Sequence, residues 1–245
     1  MKIAAVIPAR LDSMRLPNKL LRDICGKSLI IRTYESTLNS KVFDEVYVVT
    51  NNKEIVSELE RNNANYFYED KQYETGTDRI AGIASRINAE IIINVQGDEP
   101  FIKSKTLTKI INVFKEDKNK SIQVVSVMTP IDKNEISNPN NVKVVTDVNN
   151  YAMYFSRYPI PYDRDERLSS VYKHVGIYAF RKETLLSFSV LNTGELESIE
   201  KIEALRLLEN EIRIKMIISN EVFIGVDTEE DLTKAIKLIN EKKSL

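Results

Sequence analysis

The segment Glu90-Ile91-Ile92-Ile93-Asn94-Val95 carries an almost unbroken apolar run that is too short for a typical helix. A strand with one wet face alternates apolar and polar side chains. An unbroken run fits a strand covered on both faces, as in a parallel sheet flanked by helices. The chain before it is punctuated to match. Short β-branched runs at Lys2 to Ile7 and Glu45 to Thr50 alternate with segments of helical period at Leu29 to Leu38, Glu54 to Arg61 and Asp78 to Ile87. This order predicts an α/β fold built on a doubly wound, mostly parallel sheet.

The pattern changes beyond about residue 120. Ser121 to Met128, Val142 to Thr146, Ala152 to Ser156 and His174 to Phe180 read as strands without regular intervening helices, which predicts a smaller mixed-sheet part at about 121–182. A long helix at Leu196 to Leu208, a strand at Ile212 to Ile218 and a closing helix at Thr228 to Asn240, with Thr228 as its N-cap, follow. With no internal repeat and no low-complexity linker, residues 1–245 are expected to form a single domain carrying the mixed-sheet subdomain. The Pro-rich Tyr158 to Tyr162, continued by Asp163 to Ser170, is the best candidate for a mobile loop.

Charge and composition narrow the partners. The 35 basic and 36 acidic residues give a net charge of -1, which removes the footprint of a nonspecific nucleic-acid binder and makes any anion site local. A single cysteine, Cys25, excludes an intrachain disulfide, and the N-terminus has no signal-peptide pattern, so a cytoplasmic location is expected. The longest apolar stretches fall far short of the roughly 20 residues that span a bilayer.

The loop after the first strand, Pro8-Ala9-Arg10-Leu11-Asp12-Ser13-Met14-Arg15-Leu16-Pro17-Asn18-Lys19, concentrates three cations. Ligands of doubly wound sheets bind at the carboxyl ends of the strands, so Arg10, Arg15 and Lys19 are placed to wrap a triphosphate. The same charges equally suit a solvated loop. Gly26-Lys27-Ser28 resembles the end of a P-loop, but position 21 holds Leu21 where that motif needs glycine; Gly26 reads as a turn and Ser28 as a helix cap. Asp98, in Gln96-Gly97-Asp98-Glu99-Pro100, follows the buried strand and is a candidate magnesium ligand. Asp227, before the last helix, is either a second such ligand or a cap. Tyr73 to Arg79 joins a loop to a helix, where backbone donors suit a base edge or a phosphate and capping explains Thr77 as well. Strict alternation would put His174, Gly176 and Tyr178 on one face of a strand, in a structural or a substrate-contacting role; one histidine cannot make a zinc site.

Together these blocks resemble the 3-deoxy-manno-octulosonate (Kdo) cytidylyltransferase family. The resemblance is carried by Ile7-Pro8-Ala9-Arg10, Arg15-Leu16-Pro17, Thr75 to Arg79, Asn94 to Pro100, Asn138-Pro139-Asn140, Val142 to Val145, Tyr154 to Arg157, His174 to Tyr178 and Val226-Asp227-Thr228, in family order. It implies a GT-A-like nucleotidyltransferase fold whose mixed-sheet part mediates a homodimer. The implied reaction transfers CMP from CTP to the anomeric hydroxyl of Kdo, giving CMP-Kdo and pyrophosphate for lipopolysaccharide biosynthesis. By resemblance, Arg10 and Lys19 hold the triphosphate with Arg15 nearby, and Asp98 and Asp227 hold Mg2+. Pro8 and Ala9 also bind the nucleotide, Thr75, Gly76 and Gln96 lie at the cytidine side, and Arg157, His174, Tyr178 and Glu203 line the sugar pocket. The chain departs from the family pattern at Tyr73, Asn51 and Ala204, where His, Asp and Gln are usual. The departure at Ala204 falls in the expected acceptor pocket, which admits a related acid sugar, 8-amino-Kdo or a sialic-acid-like nonulosonate, as the alternative acceptor.

Overall fold

The first strand, β1 (Ile3–Ala9), is buried over nearly its whole length, which a strand achieves only at the centre of a covered sheet. The computed structural model describes residues 1–13, 15–165 and 171–243. From β1 the chain passes through α1 (Leu29–Asn39), β2 (Glu45–Thr50), α2 (Lys53–Arg61), β3 (Tyr66–Tyr68), α3 (Gly76–Ile83) and β4 (Ile91–Asn94). Parallel pairing joins β1 with β2, β2 with β3, and β1 with β4. The resulting order, β3-β2-β1-β4, grows first to one side of β1 and then to the other. Because parallel crossovers are right-handed, that reversal sends successive helices to opposite faces and leaves a crevice beyond the carboxyl ends of β1 and β4. The unbroken run in β4 has the expected cause: Ile91, Ile92 and Ile93 are fully buried.

The chain divides into two compact units, Met1–Ser104 with Val222–Leu245, and Lys105–Glu221, where a single domain with a subdomain at about 121–182 is read from sequence. The second unit begins within α4 (Ser104–Glu116) and continues with β5 (Val124–Ile131), β6 (Lys143–Thr146), β7 (Ala152–Ser156) and β8 (Val171–Arg181). Then come α5 (Lys182–Phe188), α6 (Glu195–Glu200), α7 (Ala204–Glu209) and β9 (Ile214–Ile218). Its sheet is mixed: β5 is antiparallel to β8 and parallel to β9, and β6 is antiparallel to β7 and β8. The chain then re-enters the first unit and ends in α8 (Glu229–Lys243). Thr228 and Asp231 form a reciprocal cap there, each side chain accepting the other's backbone N–H.

Two sequence expectations are corrected. The long helix over 196–208 is broken at Lys201, which adopts φ 54° between α6 and α7. The break lets Glu197 and Arg206 form a buried bidentate pair at 2.7 and 2.8 Å. In one continuous helix, residues nine apart lie on opposite faces and about 13 Å apart along the axis. Likewise β8 does not alternate strictly. Its register against β5 shifts between Ser126 and Val127, and the rings of His174 and Tyr178 approach to 5.1 Å, where a regular strand separates residues four apart by about 13 Å. Of the expected mobile loop, residues 166–170 lie outside the described residues.

Candidate active site

Leu16 and Leu20 anchor the loop after β1. Both are buried, and their insertion leaves the neighbouring Arg15 and Lys19 free to face the crevice. Lys19 opens a short 3-10 turn, entered through Asn18 at φ 52°. The loop's other end is tied by the Leu11 N–H, which donates to Asn52 Oδ1 at 3.3 Å. Met14 lies outside the described residues.

The loop after β4 is held from below. The fully buried Thr33 of α1 donates its hydroxyl to Gly97 O at 2.9 Å, and Asn94 donates to Thr77 Oγ1 at 3.1 Å. Thr75, rather than Thr77, caps α3, its hydroxyl oxygen accepting the Asp78 N–H. Both loops close on Pro8. A Cβ on Gly97 would stand 3.1 Å from Pro8 O and one on Gly76 3.0 Å from Pro8 Cγ, so larger side chains at either position push the strand ends apart. Further along, the Val226 N–H donates to Asp98 O at 2.9 Å and brings Asp227 beside Asp98. Ser28, at the N-cap of α1, makes no capping bond; its hydroxyl donates to Glu58 instead.

These segments line one cleft of about 360 Å³, to which Pro8, Ala9, Arg10, Arg15, Lys19, Thr75, Gly76, Gln96, Asp98 and Asp227 all contribute. The Lys19 ammonium lies between two carboxylates, 2.5 Å from Asp98 Oδ2 and 2.8 Å from Asp227 Oδ1, and Arg15 pairs with Asp227 at 3.1 Å. Burial works against the charge on Lys19, but Asp98 and Asp227 outweigh it and hold the ammonium above the ordinary lysine range. Asp227 is therefore no mere helix cap; that duty falls to Thr228 and Asp231. Sequence reasoning missed Asp12, Ser13, Tyr73 and Arg79 as lining residues. Asp12 and Ser13 were legible as part of the loop, and Tyr73 and Arg79 flank the Thr75-Gly76 corner.

The residues expected at the sugar all lie in the second unit. Of the five donors of the Arg157 guanidinium, three go to the backbone carbonyls of Pro139, Glu200 and Lys201. His174 Nε2 lies 2.8 Å from Ser126 Oγ, which donates to Ile177 O, and its ring packs against Phe155 and Tyr178. Burial pulls its pKa down to about 3, so the imidazole is neutral, and burial pushes the Tyr178 phenol well up. Glu203 stands at the N-cap of α7. Ala204, expected beside the acceptor, is fully buried as the first residue of α7.

Comparison with known proteins completes the picture. A family model described as cytidylyltransferase matches residues 4–214. The 3-deoxy-manno-octulosonate cytidylyltransferase of Christiangramia forsetii is 46% identical over 98% of this chain and 97% of its own. The chain belongs to the 3-deoxy-manno-octulosonate cytidylyltransferase family. The enzyme of the same name from Flavobacterium johnsoniae is also 46% identical, over 98% of this chain and 100% of its own. A solved CMP:2-keto-3-deoxy-manno-octonic acid synthetase, complexed with CTP, superposes with a TM-score of 0.93 at 34% identity, covering 99% of this chain and 100% of that one. The chain is thus an enzyme of the nucleotidyltransferase class on an α/β fold with a mostly parallel sheet. Among the described residues, no helix is long and apolar enough to cross a membrane.

Proposed function

We propose that this chain transfers CMP from CTP to the anomeric hydroxyl of 3-deoxy-D-manno-octulosonate, releasing pyrophosphate and supplying CMP-Kdo for lipopolysaccharide biosynthesis in the cytoplasm. The observation that carries the reading is the convergence of Lys19, Asp98 and Asp227 at the mouth of β1 and β4, in a chain 46% identical to enzymes of that name. The cleft presents four cations, Arg10, Arg15, Lys19 and Arg79, against three carboxylates, Asp12, Asp98 and Asp227, a local excess of positive charge in a protein of net charge -1. That excess suits a polyanionic triphosphate. Thr75, Gly76 and Gln96 take the cytidine side, with Pro8 and Ala9 beneath it.

In the reaction the sugar hydroxyl oxygen bonds to the α-phosphorus, the bond from that phosphorus to the bridging oxygen breaks, and the electron pair leaves with pyrophosphate. The hydroxyl proton passes to solvent. Such a displacement needs in-line placement and charge neutralisation more than a covalent nucleophile. Arg10, Arg15 and Lys19 meet the charge that grows on the leaving group. Asp98 and Asp227 fit a magnesium site: two carboxylate oxygens already converge on one cationic atom, and magnesium takes one or two protein carboxylates beside water and phosphate oxygens. Bound there, the ion would supply Lewis-acid neutralisation of the phosphate oxygens and lower the basicity of the attacking hydroxyl.

Arg157, His174, Tyr178 and Glu203 are assigned to the acceptor, and a homodimer is assigned to the mixed-sheet unit, on the family resemblance. The interior position of Ala204 gives no ground for a changed acceptor, so Kdo is favoured over 8-amino-Kdo or a nonulosonate. The test is pyrophosphate release from CTP and Mg2+ with each of the three acids. Release should depend on Kdo and yield CMP-Kdo by mass. Faster turnover of another acid overturns the acceptor, and CTP binding without turnover on any acid overturns the enzyme reading.

A further inference from the structure

Ser126, within β5, is fully buried, and its hydroxyl meets two polar groups of β8. The oxygen stands 2.8 Å from the Ile177 carbonyl oxygen and 2.8 Å from Nε2 of His174. The irregularity of β8 makes both contacts possible. Tyr178 lies opposite Ser126 and Val175 opposite Val127, so the bulge falls at residues 176–177 and sets His174 opposite Met128, where unbroken pairing would set it opposite Pro130. A hydroxyl carries one proton. The Ile177 carbonyl can only accept, so it takes that proton, and the serine oxygen is left to accept from Nε2. His174 therefore carries its own proton on Nε2. Burial keeps the ring neutral, so Nδ1 bears a lone pair. Phe155 at 5.0 Å and Tyr178 at 5.1 Å hold the ring in this orientation. Among the described residues Nδ1 makes no hydrogen bond, and no buried side-chain nitrogen or oxygen among them lacks one, so Nδ1 meets solvent.

We infer that Ser126 is a positioning residue: it fixes His174 as the Nε2–H tautomer, so that Nδ1 accepts a hydrogen bond from a hydroxyl of the acceptor sugar and does not hold its carboxylate. The inference rests on the assignment of His174 to the acceptor made above. An imidazole locked in this way has no donor left for an anion, and its lone pair repels one. A hydroxyl is the group it can take, and an acceptor without that hydroxyl leaves the lone pair unsatisfied.

The chain has one histidine, so long-range 1H–15N correlation on the labelled full chain reads this imidazole alone. At neutral pH the unliganded parent should show Nε2 protonated and Nδ1 unprotonated; the opposite assignment, or an imidazolium, overturns the proposal. Ser126→Ala should move both nitrogens toward the tautomer mixture of a free histidine peptide. It should also raise KM for Kdo about fivefold, matching the loss of about one hydrogen bond, and leave KM for CTP within about twofold. Ser126→Thr, which keeps a hydroxyl, should restore both. Unchanged ring signals in Ser126→Ala, or KM values for Kdo and CTP that rise together, make the serine a packing residue and overturn the proposal. Kdo is then added to the parent with a CTP analogue whose α and β phosphorus atoms are bridged by methylene. The Nδ1 signal should shift while the atom stays unprotonated. Protonation of Nδ1 pairs it with the carboxylate, an unmoved signal removes it from the acceptor, and either result overturns the proposal. If the parent turns over a different acid, the Kdo reading alone fails, and the same Nδ1 shift on adding that acid leaves the roles of Ser126 and His174 standing.

Discussion

Replacing Lys19 by methionine keeps the aliphatic stem of the side chain and removes the ammonium that separates Asp98 from Asp227. With Nζ 2.5 and 2.8 Å from their oxygens, the two carboxylates stand no more than about 5.3 Å apart once it is gone. Like charges at that distance repel by about 3 kcal/mol at an effective dielectric constant near 20 and by about 1 kcal/mol in water. The Asp227 side chain is 44% exposed and that of Asp98 26%, so screening places the cost toward the lower end, about 1–2 kcal/mol. For a chain of this length that lowers the melting temperature by about 2–8 °C in the presence of a chelator. Adding millimolar Mg2+ restores a counter-charge and should raise the melting temperature of Lys19→Met by more than it raises that of the parent, whose site already holds a cation of its own. Differential scanning fluorimetry of both proteins, with chelator and across a magnesium series, reads this without any substrate. If the variant melts with the parent in chelator, or magnesium shifts the two alike, the pair is not the cation site.

Two further perturbations probe the second unit. Glu197→Gln leaves the buried Arg206 charge without its bidentate partner and should cost about 3–5 kcal/mol in denaturant unfolding; a loss under 1 kcal/mol would show the pair to be dispensable. His174 is held neutral, with its pKa near 3 against an ordinary 6.5, so the unfolded chain takes up the proton first as pH falls. The stability present above pH 6.5 should therefore drop by about 1–2 kcal/mol by pH 5, and His174→Gln, which can keep the bond to Ser126, should flatten that part of the pH profile. An unchanged slope would mean that His174 is protonated in the fold.

Much of the cleft lining was legible because it is local in sequence. A strand end followed by cations, and a buried strand followed by Asp98, place both loops at the same sheet edge once the strands are parallel. The period of α4 is equally available, since Leu107, Ile110, Ile111 and Phe114 are buried at helical spacing. What sequence could not supply depends on contacts distant along the chain. The break at Lys201 follows from the Glu197–Arg206 pair, the bend in β8 from its register against β5, and the interior position of Ala204 from the turn between α6 and α7.

The two carboxylates at the cleft sit in one compact unit, yet the whole second unit, Lys105–Glu221, is spelled out between them. A nascent chain released from the ribosome tunnel up to Asp98 owns the cationic loop, the buried strand and one acidic oxygen donor, and still lacks the other. At a synthesis rate of roughly 5–20 residues per second, the ribosome runs for several seconds more before Asp227 is made. Every truncated or stalled product that stops inside the second unit therefore carries the cationic loop with only one of the two carboxylates, and the proposed cation site is complete only once the chain has been made through Asp227.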